Sequence, residues 1–254
     1  MSKIIAVASG KGGTGKTTTV AAVSSCLAAL GHKTLCIDFD VGMNNLDLSL
    51  GMSEFSITDF MDVVEERVDI TEAANECPNI ENLFFLGAPI NDSSDRLDEK
   101  KVKNMFKAVR DSFDYCLVDL ASGVGEYFQL AHQNADMSLI VTIGELPAIK
   151  GAEMAAMKAR DFNVTDLRLL VNRVFLKSYK GVEPTIDEVI DTVGAQLLGL
   201  IREDYGVVEA LHSDVPLVLF ERRLAAYDFL DAARRITGES IPTRFISTIS
   251  NYFV

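Results

Sequence analysis

Gly10-Lys11-Gly12-Gly13-Thr14-Gly15-Lys16-Thr17-Thr18 is the stretch that decides how this chain is read. The apolar run Ile4-Ile5-Ala6-Val7 precedes it and predicts a buried strand, and Thr17 to Leu30 after it predicts a helix. Strand, glycine-rich loop and helix are the setting that the phosphate-binding pattern G-x-x-x-x-G-K-[ST] needs, and Gly10, Gly15, Lys16 and Thr17 fill its fixed positions. Glycines let the backbone curl so that N–H groups face phosphate oxygens, and the positive end of the helix dipole adds to the attraction. The pattern places Lys16 at the β- and γ-phosphates and the Thr17 hydroxyl on Mg²⁺. A plain glycine turn is the competing reading. A chance match in a chain of this length has a probability on the order of 1 % at average glycine and lysine usage.

Outward from the loop, short apolar strands alternate with helical patterns. Strands are expected at Thr34–Ile37, Leu83–Leu86, Tyr115–Val118, Leu139–Ile143, Leu167–Val171 and Leu197–Ile201, with an edge segment at Leu217–Leu219. Helices are expected at Ile57–Val64, Ile70–Asn75, Asp98–Phe113, Glu126–Asn134, Ala148–Arg160, Pro184–Val193, Val207–His212 and Leu224–Ile236. The stretch through Asp40, Gly42, Asn44, Asn45 and Asp47 is too polar for a core element and reads as a loop. This alternation predicts an α/β fold, a mainly parallel twisted sheet with helices on both faces. No linker, repeat or low-complexity segment divides the chain, so residues 1–240 are expected to form one domain, followed by a tail at 241–254.

Composition narrows the chemistry. The 254 residues carry 24 basic and 37 acidic side chains, a net charge of −13. That balance disfavours binding to nucleic acid and a purely electrostatic hold on anionic lipid, both of which rely on Lys and Arg. Cys26, Cys36, Cys77 and Cys116 form no C-x-x-C pair, and Cys36 and Cys116 sit in expected strands as small buried hydrophobes. His32, His132 and His212 are scattered and read as surface or interface residues. No signal peptide and no apolar run of membrane-spanning length is seen, so a cytoplasmic location is expected.

Ligands of open parallel sheets bind at the carboxyl ends of the strands. Lys11, Lys16, Asp38, Asp40, Asp119 and Asn172 all fall there. Asp119 closes an apolar strand, as a Walker-B aspartate does, and would hold Mg²⁺ through its water shell. Asp38 and Asp40, two apart at the end of a strand, project on one face. One could help hold the metal shell while the other orients the attacking water. The competing reading of these carboxylates is a solvated acidic turn. Lys11 is surplus to an ordinary phosphate loop, and the natural use for its charge is phosphate across a subunit interface, in the manner of an arginine finger.

Lys11-Gly12-Gly13-Thr14-Gly15-Lys16-Thr17-Thr18 resembles the deviant Walker A motif of the MinD/ParA family, the SIMIBI class of P-loop NTPases. Cys36-Ile37-Asp38-Phe39-Asp40-Val41-Gly42 with Asn44-Asn45-Leu46-Asp47-Leu48, and Gly199-Leu200-Ile201-Arg202-Glu203-Asp204, are similar to the MinD branch of that family. The resemblance implies an ATPase that sandwiches two ATP molecules between two subunits and regulates placement of the division septum. It implies that Lys11 reaches the partner's phosphates, Lys16 the β- and γ-oxygens, and Thr17 the Mg²⁺, with Thr18 near the α-phosphate. Asp38 and Asp119 would support the metal shell, Asp40 would position water, and Asn172 with Arg173 would meet adenine. Residues 38–48 and 119–125 would be the switch loops, and MinC- or MinE-like regulators the partners.

Three departures stand out. Leu120 and Ala121 follow Asp119 where the family has Ser/Thr-Pro, and Arg202 stands where it commonly has proline. The family's tail is a lysine-rich amphipathic helix that lies on the membrane. Here Phe245, Ile246, Ile249, Tyr252 and Phe253 fall on one helical stripe whose polar face carries only Arg244. Packing against the body is therefore expected for the tail, with peripheral membrane contact as the alternative. Two other functions compete: an ATPase positioning DNA or a flagellum, which the charge disfavours, and an ATP-dependent ligase, amidase or iron–sulfur reductase, for which no second site is visible.

Overall fold

The computed structural model describes residues 2–42, 45–52, 58–89, 97–175, 184–219 and 223–244. Eight strands form one sheet: β1 (Lys3–Ala8), β2 (Thr34–Phe39), β3 (Asn75–Glu76), β4 (Leu83–Leu86), β5 (Tyr115–Leu120), β6 (Met137–Thr142), β7 (Asp166–Val174) and β8 (Gln196–Arg202). Their order is β3-β4-β2-β5-β1-β6-β7-β8, with every pairing parallel except the short β3–β4 edge. The loop-bearing strand β1 is thus interior, flanked by β5 and β6.

Alternation along the strands builds two cores. Ile4, Ala6 and Ala8 of β1 face one layer, and Ile5 and Val7 the other. The first layer holds α3 (Phe60–Val64), α4 (Ile70–Ala73), α5 (Glu99–Ser112), α6 (Glu126–His132), α7 (Leu146–Asp161) and α8 (Ile186–Val193). The second holds α1 (Lys16–Ala29), α2 (Leu46–Leu50), α9 (Gly206–His212) and α10 (Leu224–Ile236). Local chemistry sets several starts. The Asp98 carboxylate accepts from the N–H groups of Lys100 and Lys101 at the head of α5, and Thr185 and Glu188 form a reciprocal capping box on α8.

Four expectations are corrected. The polar stretch after Asp40 leads into a helix, α2, whose Leu46 and Leu50 are fully buried. Spaced i, i+4, these two leucines need only one turn to reach the core. Helix α4 stops at Ala73, and Asn75–Glu76 instead pairs antiparallel with β4. Leu217–Leu219 is a single 3-10 turn rather than a strand. His132 is buried: its Nδ1 lies 2.8 Å from the Phe128 carbonyl and its Nε2 2.8 Å from Ser138 Oγ. Ile57, at the start of one expected helix, and residues 245–254 of the tail lie outside the described residues.

Candidate functional site

Because β2, β5 and β1 are neighbours, their carboxyl ends bring two carboxylates and the glycine loop side by side. Asp119 is in register with Asp38 on one side and Val7 on the other. Lys16, first residue of α1, turns back under the loop and is buried there. Its Nζ donates to Asp119 Oδ1 at 2.6 Å and lies 3.9 Å from Asp40 Oδ2. Burial pushes the Asp119 carboxyl up, against the opposing pull of the Lys16 ammonium and the Thr17 hydroxyl. Asp38 is pushed up to about 7, first by burial and then by the Asp119 charge beside it. Its two oxygens close the loop that follows: Oδ1 accepts from Asp40 N at 2.8 Å and Oδ2 from Leu46 N at 3.4 Å.

The glycine loop is shaped by contacts far away in the sequence. Gly15 has φ +86°, and a Cβ there would meet Asn172 Nδ2 at 2.2 Å. Asn172, inside β7, donates from Nδ2 to the Thr14 carbonyl at 2.9 Å and accepts the Arg173 N–H on Oδ1 at 2.9 Å. The side chain expected at the base therefore lies against the phosphate loop, with both ends of its amide engaged. At Gly10 a Cβ would lie 1.9 Å from the Gly151 carbonyl carbon, so helix α7 and the loop meet backbone to backbone. Gly12 and Gly13 form the exposed tip beside Lys11, and Thr17 and Thr18 lie partly buried in the first turn of α1. The Gly123 N–H donates to the Ser9 carbonyl at 3.2 Å, which leans the loop after β5 against the phosphate loop.

Lys11 does not point into its own site. Its Nζ donates to Glu145 Oε2 at 2.7 Å, and that contact holds the Glu145 carboxyl below its usual range. Glu145 immediately precedes α7, just past the carboxyl end of β6. The strand-end rule that picked out Asp38 and Asp119 reaches this position too; Gly151 leaves no such signal. Arg173, near the carboxyl end of β7, pairs with Glu203, just past β8, at 2.9 Å. Arg202 faces away from this cleft, its guanidinium 2.7 Å from the buried Asp228 of α10.

The site's donors suit a magnesium–phosphate ligand. Asp119 Oδ2 and Thr14 Oγ1 are buried without a hydrogen-bond partner, a costly state that ligand atoms would relieve. The oxygen donors of Thr17, Asp38 and Asp119 are the hard ligands Mg²⁺ takes. Among the described residues no group of three or more His, Cys, Asp or Glu side chains could cage a metal ion. Phosphate and water would complete the shell, as is usual for Mg²⁺ at nucleotide sites.

Comparison with known proteins identifies relatives across nearly the whole chain. A family profile described as an AAA domain matches residues 2–165. The septum site-determining protein MinD of Bacillus subtilis is 32 % identical over 250 residues, 97 % of this chain and 93 % of that one. Among solved structures, the MinC:MinD cell division protein complex of Aquifex aeolicus superposes with a TM-score of 0.88 at 33 % identity, covering 96 % of this chain and 98 % of that one. MinD of Pyrococcus horikoshii complexed with Mg-ADP gives 0.82 at 26 % identity, covering 93 % and 96 %. The eight-stranded, mostly parallel sheet with its helices is the P-loop NTPase fold of these proteins.

Proposed function

Since the chain belongs to the MinD family of septum site-determining ATPases, we propose that it is an ATP-driven dimerisation switch that hydrolyses ATP to regulate division-site placement. The observation that carries the reading is the buried Lys16 ammonium, held under the loop by Asp119 and beside Asp40. Incoming β- and γ-phosphates would draw Lys16 from Asp119. Thr17 and the freed Asp119 carboxylate, with Asp38 behind, would then hold Mg²⁺. When bound, the ion supplies positive charge against the developing phosphate charge. Asp40, at the mouth of the same cleft, orients the attacking water. Asn172 serves the nucleotide through the loop it braces, and Arg173 borders the base at the outer end of β7.

Lys11 supplies the link between fuel and pairing. In the lone protomer it is spent on Glu145; in the dimer it leaves that carboxylate for the neighbour's phosphates. The A. aeolicus complex supports a MinC-like protein as partner. No helix among the described residues is long and apolar enough to cross a membrane.

Sizing chromatography with ATP, with ADP and without nucleotide tests the switch. The parent chain should dimerise with ATP alone, while Lys11→Ala should still bind nucleotide yet stay monomeric. An unchanged ATP-dependent dimer in Lys11→Ala would remove the cross-subunit role.

A further inference from the structure

Two loops meet at the rim of the cleft, and Ser9 joins them. Its hydroxyl donates to the Lys11 carbonyl at 3.1 Å, and its own carbonyl accepts the Gly123 N–H at 3.2 Å. Ser9 is 1 % exposed, so this joint is shielded from water. The chain leaving β5 is therefore held against the phosphate loop as it climbs from the core to the surface. Asp119 stays buried against Lys16, Leu120 packs in the core, and Ser122 emerges exposed. The Ser122 Oγ stands 3.9 Å from the point where a side chain on Gly12 would begin. Among the described residues no hydrogen bond takes up this hydroxyl. A donor without a protein partner thus overlooks the tip of the glycine loop.

We propose that the Ser122 hydroxyl donates to a γ-phosphate oxygen of bound ATP and so makes the site prefer ATP to ADP. The inference rests on the ATPase reading above and assigns this residue a discriminating role within it. The N–H groups of a glycine loop of this kind gather phosphate, and its lysine reaches the β- and γ-phosphates. That lysine, Lys16, is paired with Asp119, three residues before Ser122. A γ-phosphate drawn to Lys16 would therefore lie between the loop tip and the chain that carries both Asp119 and Ser122. A hydroxyl suits this place. It gives a hydrogen bond to a charged oxygen, stronger than one between neutral groups, and adds no charge to a cleft where Lys16 and Asp119 already balance. ADP has no γ-phosphate to offer, and with it the hydroxyl stays with solvent.

Ser122→Ala removes the hydroxyl at an exposed position, so the fold should survive, as thermal unfolding without nucleotide would check. With Mg²⁺ present, its affinity for a non-hydrolysable ATP analogue should fall about tenfold, the scale of one hydrogen bond to a charged oxygen. Its affinity for ADP should stay as it was. Ser122→Thr keeps the hydroxyl and should restore the preference. Because subunit pairing also favours ATP, the same titrations in Lys11→Ala separate the two causes: a contact within one protomer persists there. A parent chain that binds neither nucleotide overturns the ATPase reading itself. Where the parent binds both, three results overturn the assignment of Ser122 alone. These are an unchanged affinity of Ser122→Ala for the analogue, an equal loss for ADP, and a loss that disappears in the Lys11→Ala background.

Discussion

Replacing Asn172 separates a residue that reads the base from one that shapes the phosphate loop. Its amide makes two hydrogen bonds, to the Thr14 carbonyl and from the Arg173 N–H, each at 2.9 Å in a nearly buried setting. A typical net contribution is about 1 kcal/mol per bond, so Asn172→Ala should cost about 2 kcal/mol. For a domain of this size that lowers Tm by roughly 4–8 °C. Asn172→Asp should cost at least as much, because it turns an acceptor toward the Thr14 carbonyl. If half of the loss is felt by the loop when phosphates arrive, affinity falls about fivefold. It should fall equally for ATP and GTP, since the loop meets only what the two share. Thermal unfolding without nucleotide and titration with fluorescent ATP and GTP analogues measure both effects. An unshifted Tm together with lost preference for ATP would refute the bracing role and restore a direct contact with adenine.

Three further substitutions probe the rest of the site and its support. Asp40→Ala should bind ATP and accumulate as the dimer while turnover drops 10²-fold or more, the usual scale for losing an orienting acid–base group; normal single-turnover hydrolysis would exclude Asp40. Gly151→Ala should gain about 1 kcal/mol in helix propensity and lose more, because its Cβ would sit 2.8 Å from the Gly10 backbone, which has no side chain to swing aside. A net loss of about 1–2 kcal/mol with weakened nucleotide binding is expected, and a stabilised variant would contradict the close contact. His132 is held at a pKa of about 4 by burial, below the ordinary value of 6.5. Above pH 6.5 it is neutral folded and unfolded. Between 6.5 and 4 only the unfolded chain takes the proton, so its contribution falls by about 1.4 kcal/mol per pH unit, about 3 kcal/mol in all. Asp38, pushed up to about 7, acts in the opposite sense over the same window. The test is therefore the difference in denaturation between the parent and His132→Gln across pH, and parallel curves would show that His132 titrates normally.

The parts of the molecule legible in the sequence are those whose signal is local. Ile4–Val7 and Tyr115–Val118 are unbroken apolar runs because both faces of their strands are covered, and the glycine loop carries its own spacing. Asp38 and Asp119 are legible because each ends such a run. The turn of α2 is hidden because its two core leucines are embedded among Asn and Asp. His132 looks like a surface residue until Ser138, six positions on in β6, supplies the partner that makes burial tolerable. Gly151 and the orientation of Asn172 depend on contacts more than a hundred residues apart, which no window along the chain contains. Glu145 stands between these cases: its place at a strand's end was readable, its hold on Lys11 was not.

The pairing of Lys16 with Asp119 bears on what this cleft accepts. An anion that enters alone gains the lysine but strands a carboxylate, deep and without a counter-charge. That trade is a poor one, because an orphaned interior charge costs several kcal/mol. A ligand that brings its own divalent ion leaves no such debt. Stray phosphate and metal-free nucleotide should therefore be discriminated against before any catalytic step, and saturation with nucleotide should track free magnesium as closely as it tracks the nucleotide itself.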